Sequence, residues 1–225
     1  MRLQVAAVWF LCTVLFGLSD LLAERIDVGD WASYLNLIVM VAWLCTSLPL
    51  AIGVVVAGVA LSTAVRLRMS TALKLPPLSA NEILRHALSR IVISGVSVTL
   101  AAGIYRLLNG TLPLNVILQE NAIALTAALG LGFLFTQVLG VGLARIINHA
   151  NAKPIWSSSK RSNWFSELSL FPLIVTMPLI LFNSGLGAFT VIMSIIGAHA
   201  VRYRQIGMAV QDSKEMYQQS SELVQ

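Results

Sequence analysis

The stretch NAIALTAALGLGFLFTQVLGVGLARII, residues 121–147, decides the fold. Between Glu120 and Arg145 it holds 24 residues and no charge, about 36 Å of helix at 1.5 Å per residue. A bilayer core is about 30 Å thick, so the segment is long enough to cross it with some tilt. Its small residues recur at every fourth position: Ala124, Ala128, Gly132, Thr136, Gly140 and Ala144. Apolar surface gives helices little reason to associate in lipid, so close backbone approach along such a ridge takes over that role. The pattern predicts the central packing helix of a membrane bundle.

Composition agrees with that reading. Of 225 residues, 57% are hydrophobic and 11% charged, with a mean hydropathy of +0.80. Soluble domains carry about 25% charged residues, so the chain is expected to be an all-α, polytopic integral membrane protein. Cys12 and Cys45 both fall in apolar runs without a CxxC or a Cys/His cluster, and read as packing residues.

Six spans are expected over residues 1–201, at 4–22, 35–65, 91–108, 121–147, 168–182 and 185–201. The first follows Met1 and Arg2 and resembles either a span or a secretory signal. The uncharged run 31–65 is too long for a simple crossing, so Trp31 and Tyr34 are taken as interfacial anchors and Pro49 as a kink or gating hinge inside one span. Pro76-Pro77 stops what precedes it, and Ser79-Ala80-Asn81-Glu82 reads as a capping box opening a helix that continues into the third span. A turn is expected at Asn109-Gly110. Residues 168–201 carry no charge but are interrupted by Asn183-Ser184-Gly185-Leu186-Gly187, which predicts two short spans or a re-entrant hairpin. Residues 202–225 form a polar tail, with apolar spacing that permits a helix.

With both termini cytoplasmic, six spans put 13 of the 15 Lys and Arg residues on one side, leaving Arg25 and Arg106 on the other. So strong a bias is that of a cytoplasmic face, and a bacterial inner membrane is the expected location.

Chemistry is sparse by comparison. On this layout no ionisable residue falls inside a span, because Asp20 and Arg106 sit at span ends. Gln137 is the most deeply placed polar side chain, expected to bond between helices or to line a solute path. Gly95, Thr99 and Gly103 repeat the four-residue spacing and are expected to face the ridge of Ala128, Gly132, Thr136 and Gly140. His86, His149 and His199 each lie three or four residues from Arg90, Arg145 and Arg202, on shared helix faces. With Lys160, Arg161 and Trp164 they form a candidate surface for anionic lipid headgroups or other anions, while Glu82 or Glu167 would complete a metal site without a recognised spacing. Basic and aromatic residues next to spans are ordinary lipid anchors, so no nucleic acid is expected. No phosphate-cradling Gly loop, HExxH or GxSxG is present.

The leading expectation is therefore a non-enzymatic membrane subunit or scaffold, without cofactor or metal. It would dock onto other subunits, or onto itself as a homo-oligomer, through small-residue ridges and a basic face. A small-solute or ion transporter built on Pro49, Gln137 and the broken last hairpin is the alternative. A lipid-acting enzyme at the histidine cluster is the third.

Overall fold

The computed structural model describes residues 2–22, 32–69, 79–112, 114, 119–148 and 171–198. All regular structure among the described residues is helical: α1 (Arg2–Leu22), α2 (Ala32–Cys45), α3 (Leu48–Met69), α4 (Ala80–Leu107), α5 (Gln119–Asn148) and α6 (Phe171–Ala198). Among them α1, α3, α4 and α6 contain stretches long and apolar enough to cross a membrane, which marks the chain as a membrane protein.

The expected span 35–65 is two helices. Thr46 ends α2, its N–H donating to the Ala42 carbonyl at 3.0 Å and its hydroxyl to the same oxygen at 2.6 Å. The Ser47 carbonyl then accepts from Ala51 N–H at 2.9 Å, the first bond of α3. Pro49 thus lies in the first turn of a new helix, where a missing N–H leaves no bond unmade, and it is not a mid-span kink.

That break makes α2 the centre of the molecule, a place the sequence reading gave to residues 121–147. Leu35 and every residue from Leu37 to Cys45 are buried, so α2 is covered on all sides. At 14 residues it is about 21 Å long, shorter than a bilayer core. Trp43 meets Tyr105 of α4 edge to face, with ring centroids 5.6 Å apart.

α1 and α3 run parallel. Trp9 faces Gly53, Phe16 and Gly17 face Gly58, and Asp20 faces Ser62. α4 runs antiparallel to both, bringing its first half back to Asp20. The sequence-based topology put Asp20 and Arg66 on opposite faces of the membrane. They lie at one end of the bundle, because α2 adds a passage that the charge count missed.

α4 opens on the expected capping box. Ser79 N–H donates to Glu82 Oε2 at 2.7 Å, and Glu82 N–H to Ser79 Oγ at 3.3 Å. It closes at the expected turn. Asn109 takes a left-handed φ of 59°, Gly110 N–H donates to the Tyr105 carbonyl at 2.8 Å and Asn109 N–H to that of Arg106 at 3.0 Å. These two bonds form a Schellman motif that satisfies the last carbonyls. Beyond it Tyr105 Oη donates to the Thr111 carbonyl at 2.9 Å, and Asn121 Nδ2 to Thr111 Oγ1 at 3.1 Å, tying the start of α5 to the end of α4.

α5 packs along α4 through Ala124, Ala128, Gly132 and Thr136. A Cβ on Gly132 would stand 3.0 Å from Ala101 Cβ and 3.2 Å from Met40 Cε, and Thr136 Oγ1 donates to Ser97 Oγ at 2.8 Å. The facing row on α4 is thus Ser97 and Ala101. Gly95 and Gly103 have nothing within 4 Å of a built Cβ, and Thr99 is exposed with its hydroxyl bonded to the Gly95 carbonyl. The expected ridge of Gly95, Thr99 and Gly103 faces away from α5, since it lies half a turn from the row that packs. Gly132→Leu is expected to cost about 1–3 kcal/mol by overpacking, whereas Gly95→Leu and Gly103→Leu stay within about 0.5 kcal/mol of the parent. Thermal unfolding of the three variants in one detergent checks the contrast.

In place of the two short spans 168–182 and 185–201 there is one helix, α6. Ile174, Met177, Pro178, Leu181, Phe189 and Met193 are buried, and their spacing carries a single face through the expected break. Gly185, at φ 84°, is the one trace of that break, in a region that favours glycine.

Candidate functional site

The face that α1 turns inward repeats every fourth residue: Val8, Cys12, Phe16, Asp20. Three of these are apolar or weakly polar, and the fourth is a carboxylate. Asp20 is 2% exposed. It is held from two neighbouring helices. Ser62 Oγ of α3 donates to Oδ2 at 2.6 Å. On α4, His86 Nε2 lies 3.4 Å and Arg90 Nε 3.3 Å from Oδ1. His86 and Arg90 reach the same oxygen because a separation of four residues puts them on one helix face.

Arg66, one turn beyond Ser62 on α3, is also buried, at 6% exposure. With Asp20, Leu21, Ser62, Thr63, Ile83 and His86 it lines a small, partly open cavity, roomy enough for about one water molecule. Of the ion-pair side chains, Asp20 is 3% and Arg90 14% exposed, but His86 is 28% exposed. The imidazole therefore connects the sealed carboxylate to the outside of the bundle.

Ionised groups withdrawn from water are costly unless paired, and Asp20 is paired on both oxygens. The Ser62 hydroxyl alone is expected to be worth about 1.5–3 kcal/mol, as a hydrogen bond to a charged group. Ser62→Ala should lower thermal stability accordingly, and Ser62→Thr, which keeps the hydroxyl, should lower it less.

The residues expected from sequence fall into three sets. His86 and Arg90 come together around Asp20. Gln137, Gly140 and Arg145 belong to α5, but their side chains lie outside the described residues, as do His149, Lys160, Arg161, Trp164, His199, Arg202, the anchor Trp31 and the tail 202–225. Asp20 and Arg66 form the third set, the part that sequence reasoning missed. Asp20 and Arg66 fall within the last four residues of α1 and α3, Asp20 at a span end as expected, and what the sequence did not show is that the bundle buries both. The missed signal was phase, because Asp20 continues the stripe Val8, Cys12, Phe16. Among the described residues no three or more His, Cys, Asp or Glu side chains gather as a metal-binding set.

A comparison with known proteins finds no match to the chain among family models, curated proteins or solved structures. The functional reading therefore rests on the geometry of the cluster.

Proposed function

We propose that the chain is a multi-pass ion-transport protein in which Asp20 is the coupling residue. One observation carries this reading: a carboxylate buried between three apolar helices, contacted by Ser62, His86 and Arg90 beside a small cavity. Charge within spans is expensive and marks ion and proton paths more often than it marks packing. On this reading the cluster end is cytoplasmic. Arg66, Arg68, Arg85 and Arg90 lie toward that end of α3 and α4, as the positive-inside rule favours, and the N-terminus of α1 then lies on the opposite side.

The test is flux from liposomes holding the full chain, measured separately for H⁺, Na⁺, K⁺ and Cl⁻. A flux present in the parent and lost in a monodisperse Asp20→Asn variant is expected. Absence of flux for all four ions, or an unchanged flux in Asp20→Asn, contradicts the reading.

A second reading, the membrane subunit, draws on the outer face of α4. There Gly95, Thr99 and Gly103 lie open beside the exposed Val92 and Val96, a surface suited to close helix approach. Blue-native migration of Gly95→Leu/Gly103→Leu tests it. An assembly that falls apart in that variant supports the subunit, and unchanged migration removes it.

A further inference from the structure

We infer that the surroundings of Asp20 form an anion site, filled in turn by the Asp20 carboxylate and by a small monovalent anion such as chloride; this rests on the transport reading and names its ion. The first argument is what faces the carboxylate. Oδ2 accepts from Ser62 Oγ at 2.6 Å, and Oδ1 lies 3.3 Å from Arg90 Nε and 3.4 Å from His86 Nε2. A hydroxyl from α3 and a guanidinium from α4 are donors, and they hold any compact anion as they hold a carboxylate. A cation in the same place would stand against the Arg90 guanidinium, which does not give up its charge.

The second argument is access. Asp20 and Ser62 border the partly open cavity, and so does the buried Arg66. An anion entering there meets Arg66 and Ser62 first. It takes the Ser62 hydrogen bond from Oδ2 and then the place of Oδ1 beside Arg90. One negative charge arrives as the tethered one leaves, so the Arg90 guanidinium is not left buried and uncompensated during the exchange. The displaced carboxylate belongs to α1, and its departure unties α1 from α3 and α4, which couples anion binding to helix movement. Return of the carboxylate expels the anion. Asp20→Asn has no charge with which to compete, so it keeps the anion bound, and the flux lost in that variant is accompanied by binding that is retained.

Thermal unfolding of the full chain in detergent, in sodium chloride or sodium formate against sodium gluconate at equal ionic strength, tests this independently of flux. Formate replaces the missing carboxylate of Asp20→Ala. It should raise the unfolding temperature of that variant by about 5–10 °C once it exceeds its dissociation constant a hundredfold. Asp20→Asn, close to the parent in shape, carries the same test with chloride should Asp20→Ala fold poorly. The parent should need more of either anion for the same rise, because its tethered carboxylate competes at a high effective concentration. Asp20→Leu/Arg90→Met lacks the cation and has the space filled, so it should show no rise. An Arg90-dependent rise without flux of any ion upholds the anion site and removes the transport reading. Flux of H⁺, Na⁺ or K⁺ that is lost in Asp20→Asn, with no such rise, overturns the anion site and leaves transport standing. No rise in either Asp20 variant, or an equal rise in Asp20→Leu/Arg90→Met, also overturns the inference.

Discussion

Replacing Asp20 with alanine is expected to destabilise the protein by about 3–5 kcal/mol, the cost of leaving a buried partner charge uncompensated. The variant strips Arg90 and His86 of the Oδ1 they share, and Ser62 of the Oδ2 to which it donates. Arg90→Ala should cost a similar amount, since it removes a cation that lies 3.3 Å from the buried carboxylate. Asp20→Leu/Arg90→Met removes both charges and supplies apolar volume, so it should recover most of the loss, as hydrophobic replacements of buried pairs commonly do. Thermal unfolding in a single detergent measures the cycle. If the two single losses simply add in the double variant, Asp20 and Arg90 are not coupled and the pair does not hold α1 to α4.

The second large effect lies one turn away, where α1 and α3 cross. A Cβ on Gly58 would stand 2.6 Å from Phe16 Cδ1 and 3.1 Å from Phe16 Cβ, and one on Gly17 would stand 3.0 Å from the Gly58 carbonyl oxygen. Phe16 is fully buried and has nowhere to turn. Gly58→Ala should therefore cost about 1–3 kcal/mol, and Gly58→Leu more, because leucine drives the helices apart. Asp20 and Ser62 are the next contact along the same crossing, so Gly58→Leu should also abolish any flux that depends on Asp20. Gly53→Ala is the control. Its Cβ would meet the half-buried Trp9 Nε1 at 3.2 Å, which a small shift relieves. Equal stability of Gly58→Leu and Gly53→Ala would show that the crossing is looser than described.

Much of the architecture was legible in the sequence, and what was missed has a common cause. Composition announced a helical membrane protein, Ser79–Glu82 announced the start of α4, and Asn109-Gly110 announced its end, because these signals act within one or two turns. Topology was read from runs without charge, and such runs do not register a helix boundary made of uncharged residues. Thr46, Ser47 and Pro49 are a stop and a start of that kind. Reading through them merged α2 with α3 and reversed α1 relative to everything after it. Asp20 then fell on the wrong side, apart from His86 and Arg90, which had been recognised as a pair on one helix face. The residues around Gly185 misled in the opposite direction, since a local break in pattern did not divide the buried face of α6. Spacing alone also could not say which small residues of α4 face α5. Ser97 and Ala101 lie two residues from Gly95, Thr99 and Gly103, and only tertiary contact separates the two rows.

The meeting of α1, α3 and α4 at Asp20 is the claim on which the rest depends, and cross-linking tests it most directly. Leu21 of α1 and Thr63 of α3 line the same cavity. With Cys12 and Cys45 replaced by alanine, Leu21→Cys/Thr63→Cys in membranes should be joined within one chain by a short thiol-reactive linker, found as a single linked pair of peptides. No link, with the two cysteines modified from opposite sides of the membrane and thus about 30 Å apart, would contradict it.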